Sequence, residues 1–222
     1  MRRTAHRLSN WITFSLREGA ITVRTGVGAG ETHGVRDLRG DAVAAVTELR
    51  YPAGDLLVVS GLPGGGKSTL IRRAVPAAVH RVDSQDVRER FERLSPALPY
   101  AFWRPFVRVA HYAALRRALR SGDSVVVHDC GQWSWVRRWL ARDARRRGGG
   151  LHLVVLAVDP PTALAGQRAR GRGVSARSFA RHRRATARLV AALTAGDRPP
   201  GTTSAVLLDR EAADALRRIT FG

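Results

Sequence analysis

Lysine is almost absent from this chain. Of its 38 Lys and Arg residues, one is a lysine, Lys67, and 37 are arginines. Cysteine is as scarce: Cys130 stands alone, which excludes an internal disulfide framework and fits a reducing, cytoplasmic setting. No apolar run approaches the ~20 residues of a membrane-spanning helix, so no membrane partner is expected. The opening MRRTAHRLSNWITF is basic but lacks the apolar stretch of a secretory leader, and none is expected. A hydrophobic content of 44% over 222 residues suits one globular domain with a small appendage.

The net charge of +20 invites a phosphate-rich partner. Abundant Ala, Gly and Arg with one Lys is also what a GC-rich coding bias produces, so charge alone does not favour a nucleic-acid partner. The same bias makes Lys67 informative: a position that resists drift to arginine needs an ammonium rather than a guanidinium.

Residues 1–50 read differently from the rest. ITFSL and AITVR form an expected hairpin around Glu18-Gly19, TGVGAGETHG (25–34) a flexible loop, and DAVAAVTELR (41–50) a helix. From residue 51 onward the pattern is regular. Apolar runs at 55–61, 79–83, 123–129, 151–159 and 204–209 alternate with helical spacing at 67–78, 86–94, 104–121, 133–147, 161–196 (broken around 171–175) and 210–219. Continuous apolar strands separated by helices mean a parallel sheet covered on both faces. The expected fold is α/β: a three-layer domain with a five-stranded parallel sheet, residues 51–222, plus the appendage 1–50. Ligands of such sheets bind at the carboxyl ends of the strands, where Ser60, Asp83, Asp129 and Asp159 fall.

GLPGGGKS, Gly61 to Ser68, matches G-x-x-x-x-G-K-[ST] between the strand LLVVS and the helical TLIRRA. A chance match in a chain of this composition is on the order of one in a thousand, so this is read as a phosphate cradle. Gly61, Pro63, Gly64, Gly65, Gly66, Lys67, Ser68 and Thr69 are the expected ATP contacts, their backbone N–H groups forming an anion nest at a helix N-terminus. The Lys67 ammonium reaches the β- and γ-phosphates, and the Ser68 hydroxyl meets Mg²⁺. Asp129, closing SVVVHD, is the second expected Mg²⁺ residue. His128 is read as filling the strand end and Cys130 as packing.

VDSQDVRERF follows the second strand. Asp83 closes a strand read as neighbouring the cradle, where a carboxylate can accept the proton of an attacking hydroxyl. Asp86 either caps the next helix or takes that role, and Asp86 with Arg88 are the expected substrate contacts. Downstream, QRARGRG breaks two helices, and Arg168, Arg170 and Arg172 are positioned to reach transferring phosphate; Arg168 is assigned to ATP and the other two to catalysis.

The order GLPGGGKST, VDSQDVR, SVVVHDCG, LAVDPPTALAGQRARGRG resembles the small P-loop kinase group of polynucleotide 5′-kinases, zeta toxins and chloramphenicol phosphotransferase, over residues 56–209. The resemblance implies a P-loop NTPase fold, a helical lid at the arginine-rich break and an aspartate base after the second strand, here Asp83 through VDS. In the polynucleotide-kinase pattern an Asp lies three residues before an Arg; Gln85 stands there before Arg88. The expected function is Mg-ATP-dependent phosphoryl transfer to a hydroxyl of a small molecule or nucleotide. A nucleic-acid 5′-end kinase and a non-catalytic ATP-dependent binding module are the alternatives.

Overall fold

The computed structural model describes residues 34–40, 46–83, 100–129, 134–171 and 173–222. In chain order its elements are β1 (Gly34–Asp37), β2 (Glu48–Tyr51), β3 (Leu56–Gly61), α1 (Lys67–Ala74), β4 (His80–Val82) and α2 (Tyr100–Arg120), then β5 (Val125–His128), α3 (Ser134–Arg146), β6 (Leu151–Leu156) and α4 (Pro160–Ala169), and finally α5 (Ala176–Thr194), β7 (Ser204–Leu208), α6 (Arg210–Ala215) and β8 (Arg218–Phe221).

The five expected strands are present, and every pairing in the main sheet is parallel, in the order β1-β7-β6-β3-β5-β4. Every residue of β3, β5, β6 and β7 is buried, because helices cover both faces and leave no polar side to alternate with. On one face Leu70, Ile71 and Ala74 of α1 and Ala212 and Ala213 of α6 pack onto Leu57, Val59 and Val154. On the other, Leu115 of α2, Leu140 of α3 and Leu193 of α5 pack onto Val58, Val127 and Val155. This is the expected three-layer α/β arrangement.

Three strands depart from the sequence reading. β1 adds a sixth strand on the edge beside β7, and β2 and β8 form a parallel pair of their own. Residues 48–50, read as the end of a helix, are therefore strand, as are 218–219. Helix α6 stops at Ala215 because the chain turns extended at Leu216, and the N–H groups of Arg217 and Arg218 both go to Thr47 O (2.7 and 3.0 Å). The helical spacing of 210–219 persists in sequence, but a pairing partner some 170 residues away overrides it. The expected hairpin lies outside the described residues, as does nearly all of the 25–34 loop and the helix over 86–94.

The amino edge of the sheet is closed by a buried polar network. Asp55 accepts from Gly150 N (2.7 Å) and lies 2.7 Å from His152 Nε2, while His152 Nδ1 lies 2.8 Å from Ser204 Oγ. Tyr51 of β2 stacks on the imidazole, ring centroids 4.6 Å apart. Both carboxylate oxygens and both ring nitrogens are thus engaged, which makes the trio a staple across the starts of β3, β6 and β7.

The division expected at residues 50/51 falls inside β2. Leu38 and Leu49 are core residues, each worth about 1.5–3 kcal/mol when buried. A 51–222 chain is expected to melt at least about 6 °C below the full chain. Equal melting temperatures by circular dichroism would show that β1 and β2 add nothing to the core.

Candidate functional site

Strand β3 lies where the chain switches sides of the sheet, with β5 on one flank and β6 on the other, and the cradle follows its carboxyl end. Gly64 has φ +86°, and a Cβ there would stand 2.1 Å from Ala163 O of α4 and 2.8 Å from Gln167 Cγ, so only glycine fits. Gly66 caps α1 in the left-handed conformation, φ +95°. Among the described residues no side chain caps this helix, and no acidic residue sits in its first turn. Its first N–H groups, which lack helical partners, therefore face outward with the positive end of the helix dipole. That is an anion site built by the backbone.

Lys67 is 3% exposed. Its Nζ donates to Gly61 O (2.9 Å) and Leu62 O (2.8 Å), so the ammonium is held inside the loop by the carbonyls preceding the glycines. Two of its three donors are used there, and a compact point charge suits the space better than a planar fork. Ser68, 2% exposed, and Thr69 follow in the first turn of α1.

Asp83 and Asp129 close β4 and β5. The Asp129 N–H donates to Val59 O (2.9 Å), setting that residue beside the end of β3. Its Oδ2 is buried without a hydrogen-bond partner among the described residues and lies 3.6 Å from the Arg137 guanidinium. Asp83, read as ending the strand next to the cradle, ends the outermost one: β5 intervenes. The topology is the cause, since the chain leaves β3, pairs at the far edge and returns to fill the gap. Asp83 instead contacts His128, Oδ1 to Nδ1 2.7 Å, with both side chains buried. His128, read as filler, is thus the link between the Asp83 strand and the Asp129 strand. His111 of α2 completes the group: burial pushes its imidazole below the ordinary value, with Asp83, and more weakly Asp129, acting in the opposite direction.

Asp159, the fourth acidic strand end, caps α4 by accepting from Thr162 N (3.0 Å), a bond that holds its carboxyl below the usual range. Helix α4 then passes the cradle. Gln167 donates to Pro63 O (3.1 Å) and accepts from Val174 N (3.0 Å), joining the cradle to the segment leading into α5. Arg170, at the end of α4, donates to Thr69 Oγ1 (3.0 Å), which brings one expected lid arginine to the cradle helix. Arg168 is exposed. Asp86, Arg88, Arg172 and Cys130 lie outside the described residues. Arg210 was not found from sequence, yet its guanidinium nitrogen stands 2.8 Å from where a Gly66 Cβ would be. The available signal was its place after Asp209, the cap of α6.

Residues 56–195 match a protein family described as an AAA domain. No curated protein matches the chain in sequence. Among solved structures the chain is similar to one from the PezAT chromosomal toxin-antitoxin system of Streptococcus pneumoniae, at 13% identity and TM-score 0.44, over 59% of this chain and 57% of that one. It therefore spans little more than half of that relative. It is also similar to a candidate kinase from Chloroflexus aurantiacus (15%, TM-score 0.49, 72% and 88%) and to the tunicamycin resistance protein of Deinococcus radiodurans (17%, TM-score 0.34, 68% and 90%).

Gln167→Leu keeps an apolar body of similar size but removes both clamps. It is expected to cost about 1–3 kcal/mol and to speed amide exchange at Val174 and through Gly64–Gly66. Unchanged protection at Val174 would show that the clamp does not hold the segment.

Proposed function

The chain belongs to the AAA domain family, and we propose that it is a cytoplasmic, Mg-ATP-dependent phosphotransferase acting on a hydroxyl of a small molecule or nucleotide. The observation that carries the reading is the uncapped α1 N-terminus with Lys67 held in the loop before it. In this reading the N–H groups of 64–69 and the Lys67 ammonium bind the triphosphate. Thr69 and Arg168 are assigned to the same nucleotide.

Asp129 Oδ2, buried and without a hydrogen-bond partner among the described residues, and the buried hydroxyl of Ser68 suit a hard cation, and these two residues would hold Mg²⁺. When bound, that ion offsets charge on the phosphate oxygens. Asp83 accepts the acceptor hydroxyl's proton, and His128, 2.7 Å away, fixes the carboxylate's orientation. Arg170, tied to Thr69, and Arg172 stabilise charge on the transferring group, while Asp86 and Arg88 face the acceptor. All of these residues lie within 51–222.

Lys67→Ala is expected to abolish transfer, and Lys67→Arg to impair it severely because the fork does not fit between the two carbonyls. Asp83→Asn keeps shape but cannot take a proton: ATP affinity should hold while transfer falls ~10²–10⁴-fold. The assay is labelled-phosphate transfer from ATP across nucleosides, aminoglycosides, phenicols and 5′-hydroxyl oligonucleotides. ATP binding without transfer to any acceptor would favour the binding module. An inactive Asp86→Asn beside an active Asp83→Asn would move the base to Asp86.

A further inference from the structure

Helices α2 and α3 cover the same face of the sheet side by side; in the groove between them Tyr112 and Trp139 pack partly against the core, whereas Trp135 and the flanking arginines do not. Helix α3 turns Val136, Leu140, Ala141 and Ala144 inward. Trp135, Arg138, Trp139 and Arg142 recur at i, i+3, i+4 and i+7 and form a second stripe. Trp135 is 46% exposed, and Arg138 and Arg142 are exposed. Across from them α2 supplies Tyr112 and Arg116. These six residues line a cavity of about 520 Å³. The Tyr112 ring centroid lies 5.5 Å from that of Trp135 and 6.4 Å from that of Trp139, so the three rings form a short aromatic wall. Three arginines interleave with three rings, and among the described residues no carboxylate lines the cavity.

From this we propose that the α2–α3 groove is a binding surface for single-stranded nucleic acid. The rings offer flat faces on which unstacked bases settle, and the guanidinium groups meet the phosphates between them. A duplex hides its base faces in the stack and gains only the charge term. A peptide of acidic residues alone gains the charge term but brings no ring to the aromatic wall.

The groove also has a direction. Helix α2 ends at Arg120, just before β5 begins at Val125, so its start lies toward the carboxyl edge of the sheet. Helix α3 begins at that edge, after Asp129, and Arg137 in its first turn lies 3.6 Å from Asp129. Tyr112 adjoins His111, ring centroids 5.5 Å apart, and His111 feels the charge of Asp83. A strand in the groove therefore points one end toward Asp83 and Asp129. Use of that end as a phosphate acceptor rests on the proposed function; binding in the groove does not.

The test is fluorescence anisotropy of the full chain, without ATP, with a 3′-labelled oligothymidylate of about 15 residues. Wild-type protein is expected to bind it at least tenfold more tightly than the matching duplex, with affinity falling steeply between about 50 and 200 mM salt. Trp135→Ala should weaken binding roughly 5- to 150-fold, and Trp135→Phe should retain most of it. Arg138→Ala/Arg142→Ala should lower affinity and reduce the salt slope by up to about 2. Arg184→Ala/Arg188→Ala, with the same spacing on α5, should leave binding unchanged. Lys67→Ala should also bind normally, which separates failure of the groove from failure of phosphoryl transfer. The proposal is overturned if the oligonucleotide does not bind, if duplex or polyglutamate competes equally well, or if both arginine pairs weaken binding alike while Trp135→Ala does not. Should Trp135→Ala not fold, Trp135→Phe and the two arginine pairs decide the matter.

Discussion

No side chain fits between the turn after β3 and the flank of α4. A Cβ on Gly64 would lie 2.1 Å from Ala163 O, and one on Gly166 would lie 2.4 Å from Gly64 O, so two backbones meet there with hydrogen atoms facing each other. The approach sets the curvature of the cradle and so the direction of its N–H groups. It is held from above by Asp159, which caps α4 at the end of β6, and from the side by Leu62, Ala163 and Phe179, a small core separate from the two main ones. Gln167 extends it to Val174. Cradle and α4 are thus one packed unit: α4 cannot withdraw without removing the wall that shapes the loop.

Each edge of the sheet carries its own set of buried polar groups. At the amino edge Asp55, His152 and Ser204 satisfy one another, and the result is rigidity. At the carboxyl edge Ser60 Oγ, Asp129 Oδ2 and His111 Nδ1 are buried without a hydrogen-bond partner among the described residues. Unsatisfied buried groups are rare because each costs on the order of 1–3 kcal/mol. Buried polar atoms without such a partner also occur near the amino edge, at Tyr51 Oη, Thr202 Oγ1 and Arg147 Nε, so their presence alone does not mark a site. The Asp-His-Ser trio, which by composition alone resembles a nucleophilic triad, is sealed at the amino edge and acts as a staple.

What the sequence made legible is what local pattern encodes. The cradle has its own spacing, the inner strands their unbroken apolar runs, and the break between α4 and α5 its glycine–arginine run. The strands that escaped are those whose reason for being strands is remote. GVRD of β1 is short and polar and extends only because β7 presents an open edge. ELRY of β2 and RITF of β8 explain each other, at opposite ends of the described chain. The same limit applied at the site. Strand order cannot be read from strand content, so Asp83 was placed beside the cradle, although β5 lies between them and His128 is its contact. Arg210 and Gln167 escaped because their use depends on helices packing against a loop far away in sequence.

The number of arginines does not by itself say what work they do. Arg147 donates through its two terminal nitrogens to the carbonyls of Leu119, Asp123 and Gly54, tying the end of α2 and two turns to the end of α3. A planar group with five donors does this; an ammonium on a flexible stem holds such spread-out acceptors less well. Lys67 faces the reverse problem. Its two acceptors, Gly61 O and Leu62 O, are consecutive carbonyls of one tight loop, where a single atom must serve both. The chain is therefore not indifferent to which cation it uses. Where acceptors are far apart or ring faces are near, the drift to arginine is harmless or helpful. Within the cradle it is not, and the single lysine remains there.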